Sequence, residues 1–304
     1  MGSSEAPRAG GRVLPLLLTL VLPGACSLWS ADGPGCRPAS GLVRLPGDLA
    51  EASGVAVSWA HPGTYWVTND SGEPEVWAVD ADGAARGFVR ALRTLERDRE
   101  ALALGPCSGG DCLYIAETGD NYARWDSSAV YRLPEPDPAV PDSVRPEAFF
   151  FRYPDGRPDV EAMFLLPGER LHLVSKGRHG PVTVYRYPGA LRSDTVVTLE
   201  VVQRLTTTSP MLPRQVTGAD ASRDGSFVVV RTYEALSFYR VQGDTLAPME
   251  GGPVNLRTLR ESQGEGVSLG PNGLVALVGE AGPLGSVGSL VLLQCSVGGG
   301  SPPR

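Results

Sequence analysis

Four carboxylates in this sequence stand at matching places ahead of short apolar runs. They are Glu100 in "REALALGP", Glu161 in "VEAMFLLP", Asp220 in "ADASRDG" and Glu265 in "GEGVSLGP". A fifth copy, "EASGVAVS" over 51–58, carries Ser53 where the others carry an acid. Convergent carboxylates can do three kinds of chemistry. They hold hard cations such as calcium, which take oxygen ligands in loose geometry. They work as acids and bases when like charges push their pKa values apart. They also accept backbone N–H groups from a neighbouring element and so fix packing. At the level of sequence all three uses stay open.

The elements that must position these acids recur in the same order. A short apolar strand follows each acid, then a turn such as "PGE", "RDG" or "PNG" of the kind that joins antiparallel strands. A second strand comes next ("TYWVTND", "LYIAETGD", "LHLVSKG", "SFVVVRTY", "LVALVGEAG"). After a variable loop there is a third, carrying Tyr-Arg in three copies. Four copies add a fourth strand: "GFVRALR", "EAFFFRY", "LEVVQRL" and "VNLRTL". The last copy lacks one, and a spare strand, "GLVRLPG", precedes the first copy. This pattern predicts an all-β β-propeller of five four-stranded blades, with the N-terminal strand completing the last blade.

In that topology the acids sit at the top rim of the central channel, and the loops between second and third strands arrive on the same face. Glu100, Glu161, Asp220 and Glu265, with Asn69 and Asn121 as neutral ligands, are therefore the candidate set for calcium or another divalent cation. Lys176 and Arg231 offer an alternative, neutralising the acids directly. Asp70, Glu117, Asp120, Lys176 and Arg231 join them as candidate ligand-binding residues. Tyr122 and Trp125, beside Arg124 in "GDNYARWDSS", read either as a platform for a sugar or peptide or as aromatics folded over their own loop.

The chain has 304 residues and a net charge of −7, against the basic surface that nucleic acid needs. Of its 27 basic residues one, Lys176, is lysine. Residues 1–25 read as an export signal: Arg8 and Arg12 precede the apolar "VLPLLLTLVLPGAC". Ordinary cleavage and lipidation of Cys26 both fit; "LPGAC" resembles a bacterial lipobox, with Pro23 where leucine is usual. Of five cysteines, four are expected to pair as Cys36–Cys295, across the ends of the folded chain, and Cys107–Cys112, across a hairpin. Lipidation of the remaining Cys26 accounts for the odd thiol. The expected organisation is signal 1–25, anchor and linker 26–40, propeller 41–297 and a disordered tail 298–304. The expected location is the cell envelope, with membrane contact through the lipid alone.

The segment "LYIAETGDNYARWDSSAVYRLPEP" resembles a group of exported bacterial β-propeller proteins marked by a Gly-Asp-Asn loop and a Tyr-Arg…Pro-Glu-Pro strand. "SGVAVS…WVTNDSG", "PDVEAM…LVSKGR", "ADASRDGSFVVVRTY" and "QGEGVSLGPNG" are similar to its other blades, so the likeness covers about residues 50–282. The resemblance implies export and the propeller fold, and no particular reaction. That group often has two acids at the "REALA" position, where this chain has Ala101 second. A looser likeness is to gluconolactonase and paraoxonase propellers, which implies a divalent ion held in the channel by acids and asparagines at inner-strand starts. Those propellers have six blades, against five here.

No Gly-x-Ser-x-Gly elbow, HExxH, P-loop or zinc spacing occurs. His61, His172 and His179 lack a nucleophile partner, which argues against Ser-His-Asp chemistry. The expected function is binding of a small molecule, glycan or envelope protein on the acidic face, through a divalent cation or without one. The alternative is metal-assisted hydrolysis of a lactone, phosphoester or similar small ester.

Overall fold

A computed structural model describes residues 1–2, 34–282 and 287–297. The export signal, Cys26 and the tail 298–304 lie outside the described residues. The described chain is five small antiparallel sheets arranged as the blades of a propeller. Their innermost strands are Ala52–Val57, Arg99–Cys107, Val160–Leu166, Val216–Ala221 and Gln263–Leu269. These strands are apolar along most of their length because both faces are covered by neighbouring blades. The five hydrophobic clusters each span two adjacent blades, so the core lies between the sheets. For example, Met163 and Leu165 pack with Tyr114 and Phe149 of the preceding blade.

Every inner strand opens with a bulge, and the residue inside it recurs. Pairing with the second strand skips Ser53, Glu100, Glu161 and Thr217 in blades 1 to 4, and Glu265 with Gly266 in blade 5. The next residue is small each time: Gly54, Ala101, Ala162, Gly218 and Gly266. Close approach of blades demands this. A Cβ on Gly54 would stand 2.6 Å from Leu102 N, and one on Gly218 would stand 2.7 Å from Glu265 O. In two blades the bulged residue latches the neighbour: Ser53 Oγ donates to Arg99 O at 2.6 Å and Thr217 Oγ1 to Glu265 O at 3.0 Å.

Ring closure follows the expected scheme with one shift. Gly35–Pro38 pairs antiparallel with Ser289–Ser296, Cys36 opposite Cys295, and the two are bonded. The closing strand thus starts at Gly35, ahead of position 41, and only Val43–Arg44 of "GLVRLPG" adds a second short pairing. The Cys107–Cys112 bond is also present. Blade 4 differs too. Its outer strand is Thr245–Pro248, joined to the third strand through Gly243, while "VNLRTL" contributes only Val254–Asn255 before a 3₁₀ turn. Gly251 and Gly252, both at positive φ, and Pro253 break the strand there. Two further strands, Asp142–Val144 and Val196–Thr198, lap back in parallel onto the outer edge of the preceding blade. They cover edges that would otherwise expose unpaired backbone groups.

The Cys36–Cys295 bond spans 259 residues. Replacing both cysteines by serine should cost about 2–5 kcal/mol of stability, because the unfolded chain loses a long-range constraint and the ring loses its clasp. Denaturant unfolding should show the lowered midpoint. The Cys107→Ser/Cys112→Ser pair, closing only a short loop, should cost less. Equal costs would mean that the ring is held by strand pairing alone.

Candidate functional site

Ring closure brings three of the bulged acids to one mouth. Ligand oxygens of Glu100, Glu161 and Asp159 all lie within 4.8 Å of one another, and all three residues are buried. Lys176, at the end of the second strand of blade 3, points its Nζ 2.6 Å from Glu161 Oε1 and 5.9 Å from the Tyr233 ring centre. Asp98 lies within hydrogen-bonding reach of Glu100. Glu265 stands on the other side with Gln263, whose amide donates to Glu265 Oε1 at 2.8 Å and to Glu280 Oε2 at 2.7 Å. Gly119 leaves the space this crowding requires, since a Cβ there would meet Asp98 Oδ2 at 2.4 Å and Glu100 Oε1 at 2.6 Å.

Burial and like charge act together on these groups. Glu100 is pushed well above the ordinary carboxyl value by burial, then by Glu161 and Asp98. Burial also raises Glu161, although Lys176 opposes the shift. Burial and Glu280 take Glu265 up to about 8. Asp70 rises to about 7 through burial and its neighbours Glu280 and Glu51. Burial disfavours the Lys176 charge, but Glu161 more than offsets this and raises its pKa. Among the described residues, Lys176 is the one cation within hydrogen-bond distance of Glu161 in this buried acidic cluster.

The donor set fits such an ion. Asp159 Oδ1 accepts the Asp120 N–H at 2.9 Å, while its other oxygen, Oδ2, is buried without a hydrogen-bond partner. Buried carboxylate oxygens are rarely left so. Asn69 Oδ1 and Asp70 Oδ1 are likewise buried and unpartnered. Hard carboxylate and amide oxygens suit calcium or magnesium, with no thiolate or imidazole to favour a softer metal.

Other expected residues divide into those near the mouth and those that scaffold it. Asn121 donates to Asp98 Oδ2 at 3.5 Å and accepts from Arg178 Nη1. Glu117 Oε1 accepts the backbone N–H groups of Arg97 and Asp98, holding the approach to Glu100. Asp120 Oδ1 accepts Arg124 N at 2.7 Å and Oδ2 accepts Trp125 N at 2.8 Å, shaping the Gly-Asp-Asn loop. Trp125 and Tyr122 are exposed and capped by guanidinium groups, Arg97 at 4.1 Å and Arg124 at 4.4 Å. Arg231 is fully buried between blades 4 and 5, donating to Gly266 O at 2.6 Å, Val278 O at 2.9 Å and Glu261 Oε2 at 2.6 Å.

Asp220 stands apart. Thr217, not Asp220, occupies the bulge of blade 4, and Asp220 lies three residues further down the strand. There its carboxylate accepts Ser268 Oγ at 2.9 Å and the Leu269 N–H at 2.7 Å, tying blade 4 to blade 5. Aligning the apolar runs rather than the bulges displaced it in the sequence. Asp159 and Asp98 were missed for a related reason. A polar residue two before each bulge recurs as Glu51, Asp98, Asp159, Gln215 and Gln263. The "DRE" and "DVE" spacings, each an acid two residues ahead of the bulged acid, would have found both. Among the histidines, His172 is buried, stacked on Phe164 at 4.8 Å, and lowered to about 4 by burial.

No family model matches the chain, and no curated protein matches it. Solved structures do. The PQQ-bound form of an aldose sugar dehydrogenase from Streptomyces coelicolor aligns with a TM-score of 0.51 at 11% identity, over 86% of this chain and 98% of that one. A gluconolactonase from Xanthomonas campestris aligns with a TM-score of 0.44 at 14% identity, over 81% and 73%. This chain shares a propeller fold with the first of these. At these identities the likeness carries nothing about chemistry.

The raised carboxyls give the metal-free protein a defined pH response. Glu265 keeps its proton in the folded state up to about pH 8, whereas in the unfolded chain it releases it near 4.3. The folded state then binds more protons than the unfolded one, so stability present at low pH is lost as pH rises through that window. Melting of metal-free protein should therefore fall from pH 5 to pH 8, and Glu265→Gln should flatten the slope. A melting temperature that climbs over this range would contradict the assignment.

Proposed function

We propose that this chain is an exported, lipid-anchored β-propeller whose acidic mouth holds a divalent cation, calcium in class, and binds a ligand on that face. The observation that carries the reading is the buried Asp159 carboxylate: one of its oxygens lies within 4.8 Å of oxygens of Glu100 and Glu161, and its Oδ2 has no hydrogen-bond partner. A cation there would offset the crowded carboxylates without dismantling the Lys176–Glu161 pair, since Glu161 offers a second oxygen. Supplied with an ion, the site would polarise an oxygen of a bound ligand. The residues of the chain would position that ligand.

A second reading, metal-assisted hydrolysis of a lactone, phosphoester or similar small ester, is favoured by one observation. A cavity of about 320 Å³ meets the acidic cluster at Asp159, so a small molecule in it would reach the ion. Export is supported by the two disulfides, which persist in oxidising compartments. Lipid anchoring is supported by the Cys26 context. Among the described residues no helix is long and apolar enough to cross a membrane.

Calorimetric titration of calcium into metal-stripped protein should give saturable binding with a dissociation constant of about 1 mM or tighter. Asp159→Asn and Glu100→Gln should each weaken it by about tenfold or more, and Asp220→Asn, away from the mouth, should leave it unchanged. Absence of heat at millimolar calcium and magnesium would return the acids to a packing role. Cys26→Ser should move the protein from the membrane fraction to the soluble fraction and remove a lipid adduct detectable by mass spectrometry. An unmodified Cys26 in the exported protein would rule the anchor out.

A further inference from the structure

The cavity beside the mouth belongs to blade 3 and is bounded by the loop between that blade's second and third strands. Its rim is basic in a chain of net charge −7: Arg157, Arg178, Arg204 and His179 surround it. Two of these guanidinium groups are braced from behind. Arg157 Nη1 donates to Ala123 O at 3.1 Å and Nη2 to Asp126, while Arg178 Nη1 donates to Asn121 Oδ1. The partner of Arg178 is neutral, so its charge is left uncompensated, and each five-donor fork keeps further N–H groups for a ligand. Tyr185, whose hydroxyl donates to Asp155 Oδ1 at 3.1 Å, lines the wall, and Asp159 lies where the cavity meets the acids.

Planar forks held in fixed orientation are the usual means of binding carboxylate and phosphate, because two parallel N–H groups match two oxygens. Asn121 sets the Arg178 fork, and Ala123 O with Asp126 sets that of Arg157, each fork keeping further N–H groups. We infer that this cavity takes the anionic end, a carboxylate or phosphate, of a small molecule whose other end reaches the acidic mouth past Asp159. The inference deepens the ligand-binding reading, and only its second half, the reach to the mouth, rests on the cation. Guanidinium groups at the rim would then hold the anionic end, and the cation at the mouth an oxygen of the other end.

The test uses two probes, inorganic phosphate and succinate, titrated separately into the full chain without metal at constant chloride, with succinate repeated in calcium. At least one probe should bind saturably at one site per chain. The Arg178→Ser/Arg204→Ser variant, altering two exposed side chains, should weaken it about tenfold or more, the loss expected from charge-assisted hydrogen bonds. Arg157→Ser serves as an independent second variant, and melting temperature checks that each protein is folded. Which probe binds separates a phosphate from a carboxylate ligand. Binding that survives intact in both variants would overturn the inference, as would no binding of either probe at about 50 mM. Calcium binding without anion binding would sink this inference alone. Anion binding without calcium binding would sink the cation reading and leave the cavity assignment standing.

Discussion

A single ammonium group against several buried carboxylates sets the terms for the rest of this molecule. Lys176, the one lysine in the sequence, reaches Glu161 at 2.6 Å in a mouth that also holds Glu100, Asp159, Asp98 and Glu265. Burying like charges together is costly, and one cation cannot balance them all. Burial and repulsion from neighbouring acids lift the pKa values of Glu100 and Glu265, which favours their protonated forms. The fold also leaves one carboxylate oxygen of Asp159 buried without a hydrogen-bond partner.

The ring produces this crowding through a local backbone device. A bulge at the start of each inner strand turns one side chain out of the ladder and toward the neighbouring blade or the channel. The small residue that follows lets adjacent inner strands approach closely. Around the ring these bulged residues split by chemistry. Hydroxyls in blades 1 and 4 donate to the next blade's backbone. Acids in blades 2, 3 and 5 face each other. Buried arginines brace backbone: Arg99 caps the carbonyls of Asn69, Ser71 and Gly72, and Arg231 holds Gly266 O and Val278 O while pairing with Glu261. Against Glu161 the pairing cation is Lys176.

Much of the fold was legible because strand, turn and strand repeat with visible punctuation, and because a surplus strand at one end matched a deficit at the other. Cys36 and Cys295 at the two ends marked the same seam. What stayed hidden depends on register. Asp220 shares an apolar context with the bulged acids, yet only pairing with the second strand reveals that Thr217 takes the bulge. Strands such as Asp142–Val144, which pair with the blade before their own, leave no periodic trace in three residues. Asp98 and Asp159 were present as acids two positions ahead of Glu100 and Glu161, but a spacing of two reads as strand alternation until a bulge is known to intervene.

The same register explains why the acidic mouth and the basic cavity are neighbours. Asp159 and Lys176 are joined through backbone, the Lys176 N–H donating to Asp159 O at 2.9 Å, so the acid before the bulge and the lysine after the second strand move as one unit. Asp120, in the Gly-Asp-Asn loop of blade 2, holds Asp159 Oδ1 from one side, and the next residue, Asn121, holds Arg178 on the cavity side. One loop of blade 2 therefore orients both an acid of the mouth and an arginine of the cavity, both on blade 3. Its Gly119 admits no side chain, because Asp98 and Glu100 occupy that space. The Gly-Asp-Asn sequence, legible as a motif from the outset, thus acquires a physical reading. Glycine makes room for the acids, aspartate sets the loop and presents its N–H to Asp159, and asparagine couples the acids to the basic rim.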